Sequence, residues 1–404
     1  MKNHHTATPT SGRRSAPFAL TVLSALALLA ANGARPAAPD AAAKGSVRIY
    51  VGTYTSGESK GIYPLRLNLG SGALTAEGEP TGTLNPSFLA LHPNGRWLYA
   101  VNETGDQKGD PPGAVSAFAI DAATGALTYL GQQPSGGVAP CHLSLDRGGK
   151  HLVVANYGGG SVEVLPVQAD GRLGAPSALV QHTGGGPPTP GRGPGPHAHY
   201  IELDAHDRFA LVADLGRDEV MVYRFDKAKG TLTANQPPGL PLAPGSGPRH
   251  FAFDRDGRHV FVNNEIVSTV SVLGYDPDHG VLREVQTLST LPAGFKGDNS
   301  TAEVALSGDG RFLYVSNRGH DSIAIFAIDA ATRRLTLVGH QPTLGKTPRN
   351  FALDPTGRYL LVANQESDSV TVFRVDAKGG RLTPVGTPFH VPRPVCLLPV
   401  PLGR

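Results

Sequence analysis

PRNFALDPTGRYLLVANQ (348–365) decides the fold. Alternating apolar residues follow Pro348, a polar turn runs from Asp354 to Arg358 around Gly357, and a second apolar run ends at Asn364. Two short runs of this kind around a glycine-containing turn read as a β-hairpin. Working towards the N-terminus, the pattern returns as TAEVALSGDGRFLYVSNR (301–318), PRHFAFDRDGRHVFVNNE (248–265) and AHYIELDAHDRFALVADL (198–215). It returns again as PCHLSLDRGGKHLVVANY (140–157) and PSFLALHPNGRWLYAVNE (86–103). A third alternating run follows each copy, such as SVTVFRV or SIAIFAI. A fourth often begins Leu-Thr, as in LTPVGTP and LTYLGQQ. Four antiparallel strands recurring every 46 to 58 residues make the blade of a β-propeller.

The two ends complete the ring. PVCLLPV (394–400) is a first strand with no hairpin after it, and VRIYVGTY (47–54) is a second strand with no first strand before it. GIYPLRLN and LTAEGEP follow as third and fourth strands. The expected fold is therefore an all-β, seven-bladed propeller over residues 46–400, with four antiparallel strands per blade. One blade is shared between the N-terminal strands and the C-terminal strand. Such closure gives both ends a partner and hides their edges.

The composition agrees. Gly 51 and Pro 35 of 404 residues suit short strands and turns better than helices. The formal net charge is only +3 and the basic residues are scattered, so nucleic acid is excluded as an expected partner. Residues 1–34 read as an export signal: Lys2, Arg13 and Arg14 precede an apolar stretch from Phe18 to Ala31, and small residues follow. Residues 35–45 read as a flexible leader. The stretch is short for a bilayer, so no membrane span is expected after signal removal, and the protein is expected in the periplasm or outside the cell, as a monomer. Cys141 and Cys396 fall in blades separated by another blade, beyond the reach of a disulfide, and are expected to be free and buried.

Strand order predicts where chemistry gathers. The first strand of each blade lines the central channel, and its hairpin returns the chain to the same level. Residues just after the repeat Pro, and just after the repeat Asn, therefore share one rim. That rim collects His142, His197, His199, Arg249, His250, Glu265, Glu303, Arg318 and Arg349. Arginine offers forked donors to anions, and histidine or glutamate moves protons near neutral pH. The set suits a small anionic or strongly polar ligand. His197 and His199 lack an obvious third and fourth ligand for zinc, so no metal and no cofactor is expected. The repeat asparagines read as structural, and the turn arginines Arg96, Arg208, Arg258, Arg311 and Arg358 as solvated. The stretch 183–199 reads as a stiff Gly- and Pro-rich loop over the rim, with Arg192 placed to reach inward.

The blocks PCHLSLD, PGRGPGPHAHY, GPRHFAFD, VNNE, NSTAEVALSGDGRFLYVSNRGHDSI and TPRNFALDPTGRYLLVANQ resemble the lactonase family of seven-bladed propellers, which includes propeller-type 6-phosphogluconolactonases and carboxy-cis,cis-muconate cyclases. The resemblance covers nearly all of residues 46–400. It implies metal-free opening of a sugar-acid lactone, with His199, Arg249, Glu265 and Arg318 as catalytic residues. His142, His197, His250, Glu303 and Arg349 are expected to bind substrate. In this reading Arg249 and Arg318 hold the anionic group and the developing oxyanion, and His199 or Glu265 activates water. A muconate-type cycloisomerase and a non-enzymatic exported ligand-binding propeller are the alternatives. An export signal fits an unphosphorylated lactone better than a cytoplasmic phosphosugar.

Overall fold

The hairpin turns build themselves from their own side chains. In the computed structural model, Asp354 Oδ1 accepts the amide of Tyr359 at 2.7 Å and Oδ2 accepts that of Thr356 at 2.9 Å. Gly357 takes a φ of 68°, which glycine adopts without a Cβ clash. Asp204 and Asp254 do the same for the amides of Arg208 and Arg258, at 2.8 and 2.9 Å. The Asp-x-x-Gly-Arg signal is thus a carboxylate-capped turn, and all five turn arginines are exposed. The structure describes residues 45–401 except 106, 187 and 189–192. The expected export signal, leader residues 35–44 and Arg192 lie outside the described residues.

Each repeat forms one antiparallel sheet, and there are seven sheets among the described residues. Blade 1 runs from Leu89 to Pro134, blade 2 from Pro140 to Gln181 and blade 3 from Ala198 to Pro241. Blade 4 runs from Pro248 to Ser289, blade 5 from Ser300 to Pro342 and blade 6 from Pro348 to His390. The closing blade joins the strand Pro394–Pro401 to Ser46–Thr53, with Tyr50 opposite Leu398 and Gly52 opposite Cys396. Its outermost layer is split into Leu74–Ala76 and Thr81–Gly82, both paired with Gly61–Asn68. At the seam a Cβ on Gly52 would lie 2.3 Å from the Pro86 carbonyl oxygen, so only glycine allows this approach. The first strands of neighbouring blades touch all the way round, which places them at the centre.

The core is divided between the blades. A separate cluster of buried apolar side chains fills each of the seven gaps, for example Tyr99, Val101, Leu143, Leu152 and Val154 between blades 1 and 2. Each fully buried Val or Leu contributes roughly 1.5–3 kcal/mol. Three buried tyrosines, each three residues before the repeat Asn position (Thr53 in the closing blade), add a polar tie across a gap. Tyr50 Oη donates to the Gly125 carbonyl at 2.7 Å, Tyr99 to Gly171 at 3.0 Å and Tyr314 to Gly380 at 3.0 Å. The repeat asparagines tie their blades to the segment that leads in from the preceding blade; Asn156 and Asn317 donate to the carbonyls of Ser135 and Thr290, both at 2.9 Å. Cys141 and Cys396 are both free and buried. No helix is long and apolar enough to cross a membrane among the described residues.

Tyr99→Phe keeps the ring in its gap and strands the Gly171 carbonyl. It should lower unfolding stability by about 1–2 kcal/mol in a denaturant titration, whereas Tyr129→Phe, at a ring 58% exposed, should not shift the midpoint.

Candidate active site

Regular strands turn successive side chains to opposite faces, but the inner strands of this ring are not regular. In blade 4, Pro248 faces Asn264 and His250 faces Asn263, so Arg249 is an extra residue. The same one-residue bulge makes Cys141, His199, Arg349 and Val395 extra in their blades. In blade 5 both Ala302 and Glu303 face Ser316. A bulge sets two consecutive residues against one and re-aims a side chain. Arg249 with His250, and Arg349 with Asn350, accordingly face one pocket. His199, Cys141, Ser87 and Glu103 complete its polar wall.

The cations of this rim are tied to one carboxylate. Arg249 Nε lies 2.7 Å from Glu265 Oε2, and Arg318 Nη2 lies 2.9 Å from Glu265 Oε1. Arg318 Nη2 also donates to the Thr301 carbonyl at 2.9 Å. Burial pulls the Glu265 pKa up, but Arg318, Arg249 and Arg349 outweigh it and hold this carboxyl below the usual range. Burial, with Arg318 nearby, pushes Arg249 down to about 10, still protonated at neutral pH. Glu265 therefore has both oxygens engaged and is poorly basic. Arg318 supports it and does not line the pocket.

A second chain of contacts orients Arg249. Its Nη1 donates to the Ala302 carbonyl and lies 3.2 Å from His250 Nε2. A guanidinium can only donate, so His250 Nε2 accepts and its proton sits on Nδ1, 3.1 Å from Glu303 Oε1. Glu303 also accepts from the Val304 amide and from Asn350 Nδ2. Burial raises Glu303 to about 7. Arg249 Nη2 has no partner among the described residues, which leaves this donor for the pocket.

Three buried histidines of the rim are held neutral. Burial lowers His142, His199 and His250 well below 6.5, and neighbouring Arg249 adds to each. His142 stacks on Tyr200 at 3.7 Å, and its Nδ1 accepts the Ile201 amide at 3.3 Å. It sits beside the lining, not in it. His199 lines the pocket, and its Nδ1 has no partner among the described residues. His197 lies outside the lining, stacked on Tyr157 at 4.7 Å with Nδ1 on that residue's carbonyl at 3.0 Å.

Arg349 differs from the other two arginines. It lies over the Tyr54 ring at 5.2 Å, and no carboxylate among the described residues comes within ion-pair distance. The carboxylate that sequence reading left out is Glu103. It follows the repeat Asn102, lines the pocket and is half-buried. Tyr54 Oη lies 3.0 Å from Oε1, and Ser87 Oγ donates to Oε2. Its place after the repeat Asn was the available signal, the same one that marks Glu265.

Residues 48–399 match the family described as lactonase, 7-bladed beta-propeller. The chain is 37% identical over 305 residues to a 6-phosphogluconolactonase of Bacillus subtilis, covering 76% of this chain and 84% of that one. It is 35% identical over 312 residues to a 6-phosphogluconolactonase of Formosa agariphila, covering 76% and 86%. Among solved structures it is similar to a periplasmic gluconolactonase of Pseudomonas aeruginosa, at 36% identity and a TM-score of 0.84, covering 89% of this chain and 100% of that one.

The buried titrating groups set a pH dependence. Below pH 6.5 the unfolded chain gains protons on His142, His199 and His250 that the folded chain refuses, so stability falls with falling pH. Glu303, raised to about 7, and Glu163, raised to about 8 by burial, act in the opposite sense: their stabilising contribution is lost as pH rises. Three histidines against two carboxyls leave stability falling as pH drops from about 6.5 towards about 5, most steeply in the lower part of that range, where the unfolded histidines are fully protonated. Urea midpoints across that window should fall with pH, and the fall should steepen in Glu163→Gln.

Proposed function

The chain belongs to the lactonase family of seven-bladed β-propellers, and from that premise we propose that it hydrolyses a sugar-acid lactone in the pocket at the mouth of its central channel. One observation carries the reading. Arg249 Nη2 and the Arg349 guanidinium are uncommitted donors on a pocket that also holds a neutral, incompletely bonded imidazole, His199.

Lactone opening needs two things of a protein. Negative charge that develops on the carbonyl oxygen must meet fixed donors, and the attacking water must lose a proton. In this reading the carbonyl oxygen sits against Arg249 and Arg349. His199 takes the proton of a water that adds to the carbonyl carbon. As the tetrahedral intermediate collapses, the ring C–O bond breaks and its electron pair leaves on the alkoxide oxygen, which takes that proton from His199. The product is the open hydroxy acid, which releases one proton to solvent. Its carboxylate rests on the same two guanidinium groups. Arg318 and Glu265 are positioning residues for Arg249, and Glu303 acts on it through His250. His142 and His197 support the wall through Tyr200 and Tyr157.

The reading extends to location: an exported chain, acting alone outside the cytoplasm. Support comes from the apolar N-terminal stretch and from the similarity to a solved gluconolactonase that is named periplasmic.

Arg349→Met and His199→Gln should each lower kcat for δ-gluconolactone by about 10²-fold or more, measured by acid release in a pH-stat. Since His199 loses its proton well below 6.5, the acid limb of kcat should also lie below that pH. Wild-type turnover in both variants would reject the assignment.

A further inference from the structure

Glu103 and Arg349 are opposite charges on one pocket that the fold keeps from pairing. Tyr54 stands between them: its hydroxyl is bonded to Glu103, and its ring face lies under the Arg349 guanidinium at 5.2 Å. A carboxylate offers about four acceptor positions. Tyr54 and Ser87 have one proton each to give, so about two positions remain. No cation lies within 4.0 Å of Glu103 among the described residues, since its charge enters no ion pair. An unneutralised carboxylate with spare lone pairs suits a ligand that brings hydroxyl protons, and repels one that brings more negative charge.

The balance of charge points the same way. Arg249, Arg318 and Arg349 face Glu265 and Glu103, and Glu303, raised to about 7, is about half ionised at neutral pH, so the surplus is at most about one positive charge with the histidines neutral. A surplus of that size matches an oxyanion or a product carboxylate. A phosphate ester would add about −1.5 to −2, and the pocket lining holds no lysine to meet it.

We propose that Glu103 is a specificity-determining residue that accepts sugar hydroxyls and selects an unphosphorylated polyol lactone over its phosphate ester. The proposal rests on the lactone-hydrolase reading of the same pocket. Its test compares D-glucono-δ-lactone with 6-phospho-D-glucono-δ-lactone in wild type, E103Q and E103D, with melting temperatures to confirm folding. Wild type should favour the unphosphorylated lactone at least tenfold in kcat/KM. E103Q should shrink that ratio at least fivefold, mainly through KM, and E103D should restore most of it. A ratio unchanged in E103Q, or a wild type that favours the phosphate ester, overturns the proposal.

Calorimetric binding of D-gluconate and 6-phosphogluconate reads the same preference without turnover. If neither lactone is hydrolysed, the hydrolase reading fails, while the binding ratio of wild type to E103Q still decides the role of Glu103. Should E103Q not fold, Ser87→Ala keeps the charge and frees an oxygen. Its preference for gluconate should equal or exceed that of wild type, and a smaller preference overturns the proposal.

Discussion

One extra residue in an inner strand does more for this molecule than any single contact. A regular strand would send neighbouring side chains to opposite faces, and Arg249 and His250 could not then share a pocket. The bulge sets both against Asn263 and leaves the rest of the ladder in register. Since the ring repeats the device, Cys141, His199, Arg349 and Val395 fall at the same level. The propeller thus presents a ring of positions whose identities vary freely, because the hairpins behind them carry the packing.

Charge is the second constraint. Three arginines beside a buried pocket would be costly to desolvate unless paired or hydrogen-bonded. Glu265 answers this for Arg249 and Arg318 by taking one on each oxygen. The cost moves to the histidines, which burial and these cations keep neutral. A neutral imidazole retains its lone pair at neutral pH, so the field that would make His199 a weak base also keeps it an available one. Arg349 obtains only the face of Tyr54, which shields the cation without using its donors.

The blades, their number and the shared closing blade were legible because capped turns and alternating strands recur in register through the chain. The rim was legible for the same reason: counting from the repeat Pro and Asn marks Arg249, Arg349, His199 and Glu265. Partnership was not legible. Nothing in S-N-R-G tells that Arg318 is spent on Glu265, or that His142 hides behind the lining against Tyr200. Glu103 stands at a marked position, but its environment comes from Tyr54, in the N-terminal part of the closing blade, and from Ser87. Bulges leave little trace in sequence, since the extra residue looks like any other member of an alternating run.

Ring closure ties these threads together. The pocket takes Arg349 from blade 6, Arg249 from blade 4, His199 from blade 3 and Val395 from the closing strand. No two adjacent blades hold a complete set, so the site exists only when the strand Pro394–Pro401 has paired with Ser46–Thr53. That pairing joins the most distant parts of the described chain, and the loop entropy it must overcome is the largest in the fold. The contacts that reward it are Gly52 against Pro86 and the apolar clusters on either side of the closing blade. Neither contains Arg249, Arg349 or His199. A substitution at the seam would therefore disturb turnover by opening the ring, while one at Arg349 or His199 leaves the seam intact, and the two are separable because packing lies between the blades and chemistry at their common centre.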